Sequence, residues 1–437
     1  MIICNKASFS IKKVQMAKDY LPRVIDPVIK SYIKTFEAVL IEGPKWCGKT
    51  TSAMKVTKTH IKLQDPRRSR DFLKIAETEP INLLEGPTPL LLDEWQMAPI
   101  LWDTVRAEVD ERGKTGQFVL TGSSVPPSTD QMHTGTGRIA RLMMRPMSLL
   151  ESNESTGQVS LKNLFDSKKI PNSPESKLSI KDLGFAICRG GWPSALKVDR
   201  DHSHLIARDY LNSVCEADIS RMDGVEKKPS RVKAVLRSYA RNISTLATNK
   251  TILDDVRAND VGIAESTLYS YLNALSRLFI IDDVKAWSPA IRSKSVIRAS
   301  NKKSLVDPSL AAAALGITYQ NMFDDMQTFG LMFESLCMRD LRVYAQALGG
   351  QVFYYHDRYG LECDAVICLD DGRYGLVEIK LGEKEVDLAA EHLLKIRQLT
   401  LEAGMNPPKI LMILTGGKRC YHRKDGIIVV PIGCLGD

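Results

Sequence analysis

Paired cysteines and long apolar runs are both missing from this chain. Its nine cysteines are scattered without C-x-x-C spacing, and Cys363 and Cys368 have no second Cys or His pair nearby. Neither a disulfide framework nor a zinc site is therefore expected, and buried thiols in a reducing compartment are. No stretch approaches 18 uninterrupted apolar residues, and residues 1–20 lack an apolar core followed by a cleavage site. The expectation is a cytoplasmic protein with no membrane partner. Repeats and low-complexity tracts are absent too. Charge of one sign is not abundant: 60 basic against 52 acidic residues leave +8, too mild to demand a nucleic-acid partner. What is present is an ordinary globular composition, 44% apolar and 26% charged, over 437 residues. That length calls for roughly two to four domains.

The motif Gly43-Pro44-Lys45-Trp46-Cys47-Gly48-Lys49-Thr50 follows the apolar run Ala38-Val39-Leu40-Ile41 and opens a helical segment at Thr51. A G-x-x-x-x-G-K-T loop between strand and helix wraps backbone N–H groups around phosphates. Lys49 neutralises the β/γ oxygens, and the Thr50 hydroxyl ligates Mg²⁺. ATP and Mg²⁺ are the cofactors this implies, with residues 43–51 as the nucleotide contacts. A second apolar run, Pro89-Leu90-Leu91-Leu92, delivers Asp93 and Glu94. Asp93 is expected to hold the magnesium and Glu94 to polarise the attacking water. A third, Gln117-Phe118-Val119-Leu120, ends in Thr121-Gly122-Ser123-Ser124, and Ser123 is assigned to the γ-phosphate side. Three apolar strands, each ending in a polar group that phosphoryl transfer needs, predict an α/β ATPase core with a parallel sheet.

Beyond the core, residues 151–178 are polar and rich in Ser, Asn, Lys and Pro, the composition of a surface insertion or linker. Gly190-Gly191-Trp192-Pro193 punctuates the chain before a helical block over about 205–246. Residues 251–256 and 265–278 then read as two helices around a turn at Gly262-Ile263, with Leu268, Leu272, Leu275 and Leu278 on one face. Phe279-Ile280-Ile281 reads as a strand. The stretch after it carries Lys285, Arg292, Lys294, Arg298, Lys302 and Lys303 with no acid among them. This is the pattern of a winged helix. Ser266, Thr267 and Tyr269 would enter a major groove, and Arg292, Lys294, Arg298, Lys302 and Lys303 would lie on DNA phosphates. The same module also serves as a protein-binding lid, so that alternative stays open.

The last hundred residues hold a second constellation. Glu334 falls on a helix, Asp364 on a strand, and Glu378 and Lys380 on the strand Gly375-Leu376-Val377-Glu378-Ile379-Lys380-Leu381, on one face because they are two apart. Three carboxylates and a lysine in this order are the groups a metal-dependent phosphodiesterase uses. Asp364 and Glu378 would be metal ligands, and Lys380 would orient the nucleophile.

Nearly end to end, the chain resembles a prokaryotic family of AAA-type P-loop ATPases whose C-terminal half is a domain of unknown function. The resemblance rests on Leu21-Pro22-Arg23, Gly43-Pro44-Lys45, Leu92-Asp93-Glu94, Leu120-Thr121-Gly122-Ser123, Gly137-Arg138-Ile139, Arg145-Pro146-Met147-Ser148-Leu149 and Gly190-Gly191-Trp192-Pro193. It implies an AAA-type core, a winged-helix segment and a terminal domain similar to the PD-(D/E)XK restriction-endonuclease fold. Cys363 stands where that nuclease pattern has proline before the aspartate. Arg138 takes the place from which AAA-like proteins present an arginine finger to a neighbouring subunit, which implies a homo-oligomer. The expected order is an N-terminal segment (1–20), ATPase core (21–150), polar linker (151–180), helical segment (181–246), winged-helix-like domain (247–310) and nuclease-like domain (320–437). The function read from this is an ATP-hydrolysing machine acting on DNA. The rival is a regulatory ATPase whose C-terminal domains bind proteins without cleaving DNA.

Overall fold

The computed structural model describes residues 20–125, 136–168, 171, 173–221, 227–258, 262–289 and 300–437. Parallel strands β1 (Ala38–Glu42), β2 (Thr59–Lys62), β3 (Leu90–Asp93), β4 (Phe118–Gly122) and β5 (Ile139–Met143) form one sheet in the order β2-β3-β4-β1-β5. Its strands are apolar without alternation because both faces are covered. Leu40, Leu90, Leu92 and Leu120 pack on one side with Trp102 and Phe72, whereas Val39, Ile41, Leu91 and Val119 pack on the other with Ile29 and Ala53. Strand β4 lies between β1 and β3, so the phosphate loop, Asp93 and the Thr121–Ser123 turn all leave the same end of the sheet.

Residues 151–165 correct the expectation of a surface insertion. Strand β6 (Val159–Ser160) pairs in parallel with the chain's last strand, β13 (Leu435–Gly436). Leu161 and Phe165 of the helix Leu161–Phe165 are buried. Polar composition here reflects half-covered turns around a few apolar anchors. Helices Ile180–Arg189, His204–Ser213, Pro229–Arg241 and Pro308–Leu315 then pack together. The first is fixed by a capping box in which Ser179 and Asp182 satisfy each other's backbone N–H.

Helices Asn249–Arg257 and Glu265–Arg277 follow, with Leu268, Leu272, Leu275 and Leu278 buried as their spacing requires. The expected strand at 279–281 is reduced to two antiparallel bridges, Ile281 to Leu305 and Val284 to Lys302. A C-terminal sheet runs β11 (Tyr421–His422), β12 (Ile428–Pro431), β10 (Ile410–Thr415), β9 (Tyr374–Lys380), β8 (Glu362–Leu369), β7 (Gly350–His356). The helix Met326–Ala347 covers one face and Val386–Glu402 the other. Strand β9 alternates accordingly: Val377 and Ile379 join the core beneath the first helix, Leu376 the core beneath the second. One contiguous core links Leu149, the helical segment and the C-terminal sheet, so the expected boundaries near 246 and 310 do not separate independent cores. Among the described residues no helix is long and apolar enough to cross a membrane.

Candidate functional site

Between β1 and the helix Lys49–Met54, the loop makes its turn at two left-handed positions, Trp46 (φ 64°) and Gly48 (φ 107°). Such alternation turns successive N–H groups toward one concavity. Gly43 begins it under a tight roof, since a Cβ there would lie 2.2 Å from the Met144 carbonyl oxygen. Lys49 is buried, and its Nζ donates to the carbonyls of Gly43 (2.9 Å) and Pro44 (2.7 Å). Its ammonium therefore already lies along the inside of the loop.

Asp93 ends β3 opposite Thr121 of β4. Its Oδ1 accepts the hydroxyls of Thr50 and Thr121, each at 2.6 Å. A hydroxyl and a carboxylate side by side are hard oxygen donors of the kind Mg²⁺ takes, and the hydrogen bonds to the carboxylate come from neutral hydroxyls, so the residues fit that ion. Glu94 adopts a left-handed backbone (φ 58°, ψ 51°). Its Oε2 accepts from Ser123 Oγ (2.7 Å) and from the Gln96 amide, and Gln96 also donates to Ser123 (3.2 Å). Gly122 lets the turn pack closely on β4, since a Cβ there would come 3.0 Å from Trp95 Nε1. Gln96 was not legible in the sequence: it sits two residues past Glu94 in a turn with no periodicity.

Other segments clasp the loop from outside. Arg23 donates to the Cys47 carbonyl (2.7 Å) and pairs with buried Glu151 (2.9 Å). Lys45 pairs with Asp218 at 2.6 Å, and the Trp46 ring packs on Tyr210 with centroids 5.3 Å apart. Asp218 lies in a single π-helical turn, Val214–Asp218, an irregularity frequent at functional positions. Arg138 is elsewhere. It precedes β5, whose start is in register with the start of β1, so it stands at the end of the sheet away from the phosphate loop, roughly 20 Å along the strands. There it pairs with Asp110 (2.9 Å), out of reach of its own loop; Arg141 pairs with Glu42 at 3.1 Å.

Glu334, Asp364, Glu378 and Lys380 do converge, and a residue expected on DNA converges with them. Lys302 is buried, with Nζ 2.6 Å from Glu334 Oε1 and 3.4 Å from Asp364 Oδ1. Asp364 Oδ2 accepts from the Ile379 N–H (2.8 Å) and from Lys380 (3.1 Å). Lys380 Nζ also lies 2.8 Å from Glu378 Oε2, an ion-pair distance without hydrogen-bond alignment, so neither Glu378 oxygen is hydrogen-bonded. Burial would raise the Asp364 carboxyl, but Lys302 and Lys380 hold it down at about 2. Burial and then Asp364 push Glu378 up to about 9, and burial pushes Glu334 up to about 7 against the pull of Lys302. Two ammonium groups thus stand within the cluster, Lys302 against Glu334 and Asp364, and Lys380 against Asp364 and Glu378. These residues do not fit a divalent ion as they are arranged. Among the described residues no group of three or more His, Cys, Asp or Glu side chains could hold a metal. The groups paired with the expected metal ligands Asp364 and Glu378 are thus lysines.

The expected phosphate contacts of the wing are corrected for two residues. Lys302 is consumed by the carboxylates, and Lys303 is buried, donating to Asn249 (2.9 Å) and pairing with Asp283 (3.5 Å). Arg292, Lys294 and Arg298 lie outside the described residues. Ser266 and Tyr269 are exposed and Thr267 is half-buried.

Residues 35–153 match the family model of an AAA domain, 180–321 that of a domain of unknown function (DUF8612), and 329–435 that of another (DUF4143). No curated protein matches the chain. Among solved structures, a Walker-type ATPase of Pyrococcus abyssi is 14% identical, with 70% of this chain and 99% of that one covered at a TM-score of 0.43. The Drosophila ORC bound to DNA is 13% identical over 64% of this chain and 89% of that one, at a TM-score of 0.22. The N-terminal part of the chain is an AAA-type P-loop ATPase core, and nucleotide binding goes with it.

Proposed function

We propose that this protein is a Mg²⁺-dependent ATP hydrolase that acts as a switch on DNA and does not cut it. The observation that carries the reading is the convergence of Lys49, Thr50, Asp93, Glu94 and Ser123 at one end of the parallel sheet. Lys49 is the group for the β/γ-phosphates, its ammonium already inside the loop. Thr50 and Asp93 would hold a magnesium ion, whose charge would offset that on the phosphoryl oxygens. Glu94 orients the attacking water once its carboxylate is free of Gln96, and Ser123 stands beside it.

Arg138 acts in trans if it acts on phosphate at all, because it points away from its own loop at the far end of the sheet. The regulatory, non-cleaving output gains support from Lys302, whose ammonium takes the place a cation would need among Glu334 and Asp364.

Nucleotide binding and phosphate release measured together test the core. Lys49→Ala should lose both, and full turnover by that variant would refute the site. Mixing Lys49→Ala with Arg138→Ala should restore part of the turnover that each lacks alone; a monomer with full activity would exclude the finger. Intact DNA after incubation with ATP and Mg²⁺ or Mn²⁺ is expected, and nicking by the wild-type protein would overturn the non-cleaving reading.

A further inference from the structure

The chain contains another acid-free cationic stretch, longer than the one beyond residue 283. From 227 to 253 there are seven cations, Lys227, Lys228, Arg231, Lys233, Arg237, Arg241 and Lys250, and no Asp or Glu. Most of it is the helix Pro229–Arg241, which buries Val232, Val235, Leu236, Tyr239 and Ala240. That burial fixes the opposite face. Lys233, Arg237 and Arg241 are exposed on it at intervals of four, so their side chains succeed one another about 6 Å apart along a rigid line.

All three line a cleft of about 780 Å³, whose other walls are Leu211 and Asn212 of the helix His204–Ser213 and the small side chains of Ala313 and Ala314. The acids facing it hold these cations loosely. Glu216 is 3.4 Å from Lys233, with both side chains at least half exposed. Asp255 already accepts from Ser238 (2.8 Å) and Asn242 (3.4 Å), and reaches Arg241 only at 3.7 Å. Exposed pairs of this kind contribute little and exchange readily for a stronger anion. Arg237 has no ion-pair partner among the described residues.

We infer that this cleft is a nucleic-acid backbone site, in which Lys233, Arg237 and Arg241 bind successive phosphates of a DNA duplex. A straight row of evenly spaced cations suits a polymer with evenly spaced fixed negative charges, and neutralising phosphates releases counterions. The small walls leave room for a backbone rather than demanding one side chain. Through Asp255 the row adjoins the helix Asn249–Arg257, whose partner helix exposes Ser266 and Tyr269. The inference rests on the DNA reading above and moves the phosphate contacts from the hairpin to this helix.

Fluorescence polarisation of the full chain with a mixed-sequence duplex of about 30 base pairs is the test. Polyglutamate is the competing probe, and salt runs from about 50 to 200 mM. The Lys233→Gln/Arg237→Gln/Arg241→Gln variant should bind about tenfold or more weakly at low salt for every sequence. Its log–log salt slope should be shallower by about 2.7, three contacts at about 0.9 each. Arg237→Lys should retain binding, and DNA-free ATP turnover and melting temperature should not move. Unchanged affinity and slope in the triple variant would overturn the cleft while leaving the DNA reading standing. No duplex binding by the wild-type protein would overturn both. Equal binding of polyglutamate, lost equally in the triple variant, would replace the nucleic acid by an acidic protein.

Discussion

The phosphate-loop site and the C-terminal carboxylate cluster are built from the same parts, acids at strand ends with lysines close by, and they differ in what the lysines do. At β3, Asp93 is held by the hydroxyls of Thr50 and Thr121, while Lys49 donates to backbone carbonyls. Among the described residues no Lys or Arg ion pair is made by that carboxylate. At β8 and β9, Lys302 and Lys380 reach the Asp364 carboxylate themselves. Its charge is closed within the chain. Whether a cluster of acids receives an ion is decided by the partners already committed to it, and residue spacing does not reveal those partners.

The contrast is sharpest in turnover. Glu94→Gln should lower kcat by about 10²–10⁴ with nucleotide affinity retained, the range for losing a positioned acid or base. Glu378→Gln should leave ATP turnover unchanged, and an equal drop in both variants would break the distinction. Next in size is stability. Lys302→Met leaves Glu334 without its cation and Asp364 with Lys380 alone, and should cost about 3–5 kcal/mol in denaturant unfolding, as removal of one partner from a buried pair does. The double variant Lys302→Met/Glu334→Gln should recover part of it; a neutral Lys302→Met would show that the cluster is solvated.

A smaller effect is expected at Gln96. Gln96→Ala frees the Glu94 carboxylate from one of its two donors and should raise basal turnover by up to about tenfold. The smallest signature is in pH. The folded carboxyl of Glu334 titrates near 7, above its unfolded value. Between about 4.5 and 7 the folded state therefore holds a proton the unfolded chain has released, and this contribution to stability falls as pH rises through that window. Glu334→Gln should flatten the melting-temperature profile there; an unaltered profile would assign the titration to another group.

The phosphate loop, Asp93 and Glu94 were legible because strand, loop and helix follow one another in sequence, so the motif carries its own geometry. The shared face of Glu378 and Lys380 was legible for a similar reason, the period of two in a strand. Lys302 was not. A basic run is visible in the chain, but which of its cations meet water is set by the Val284–Lys302 bridge and by a helix more than thirty residues away. Residues 151–165 misled through composition, since Val159, Leu161 and Phe165 suffice to anchor an otherwise polar segment. The charged face of the helix Pro229–Arg241 carries no such signal, because nothing local marks one solvated helix face as lining a cleft.

Lys45 and Trp46 are loop residues, yet Asp218 and Tyr210, which hold them, belong to the helical segment whose Leu211 and Asn212 wall the cationic cleft. Any factor by which nucleotide changed the affinity of the proposed cleft for its ligand would, by reciprocity, be the factor by which that ligand changed nucleotide affinity. If DNA fills the cleft as proposed, titrating nucleotide at fixed DNA and DNA at fixed nucleotide must return the same coupling free energy.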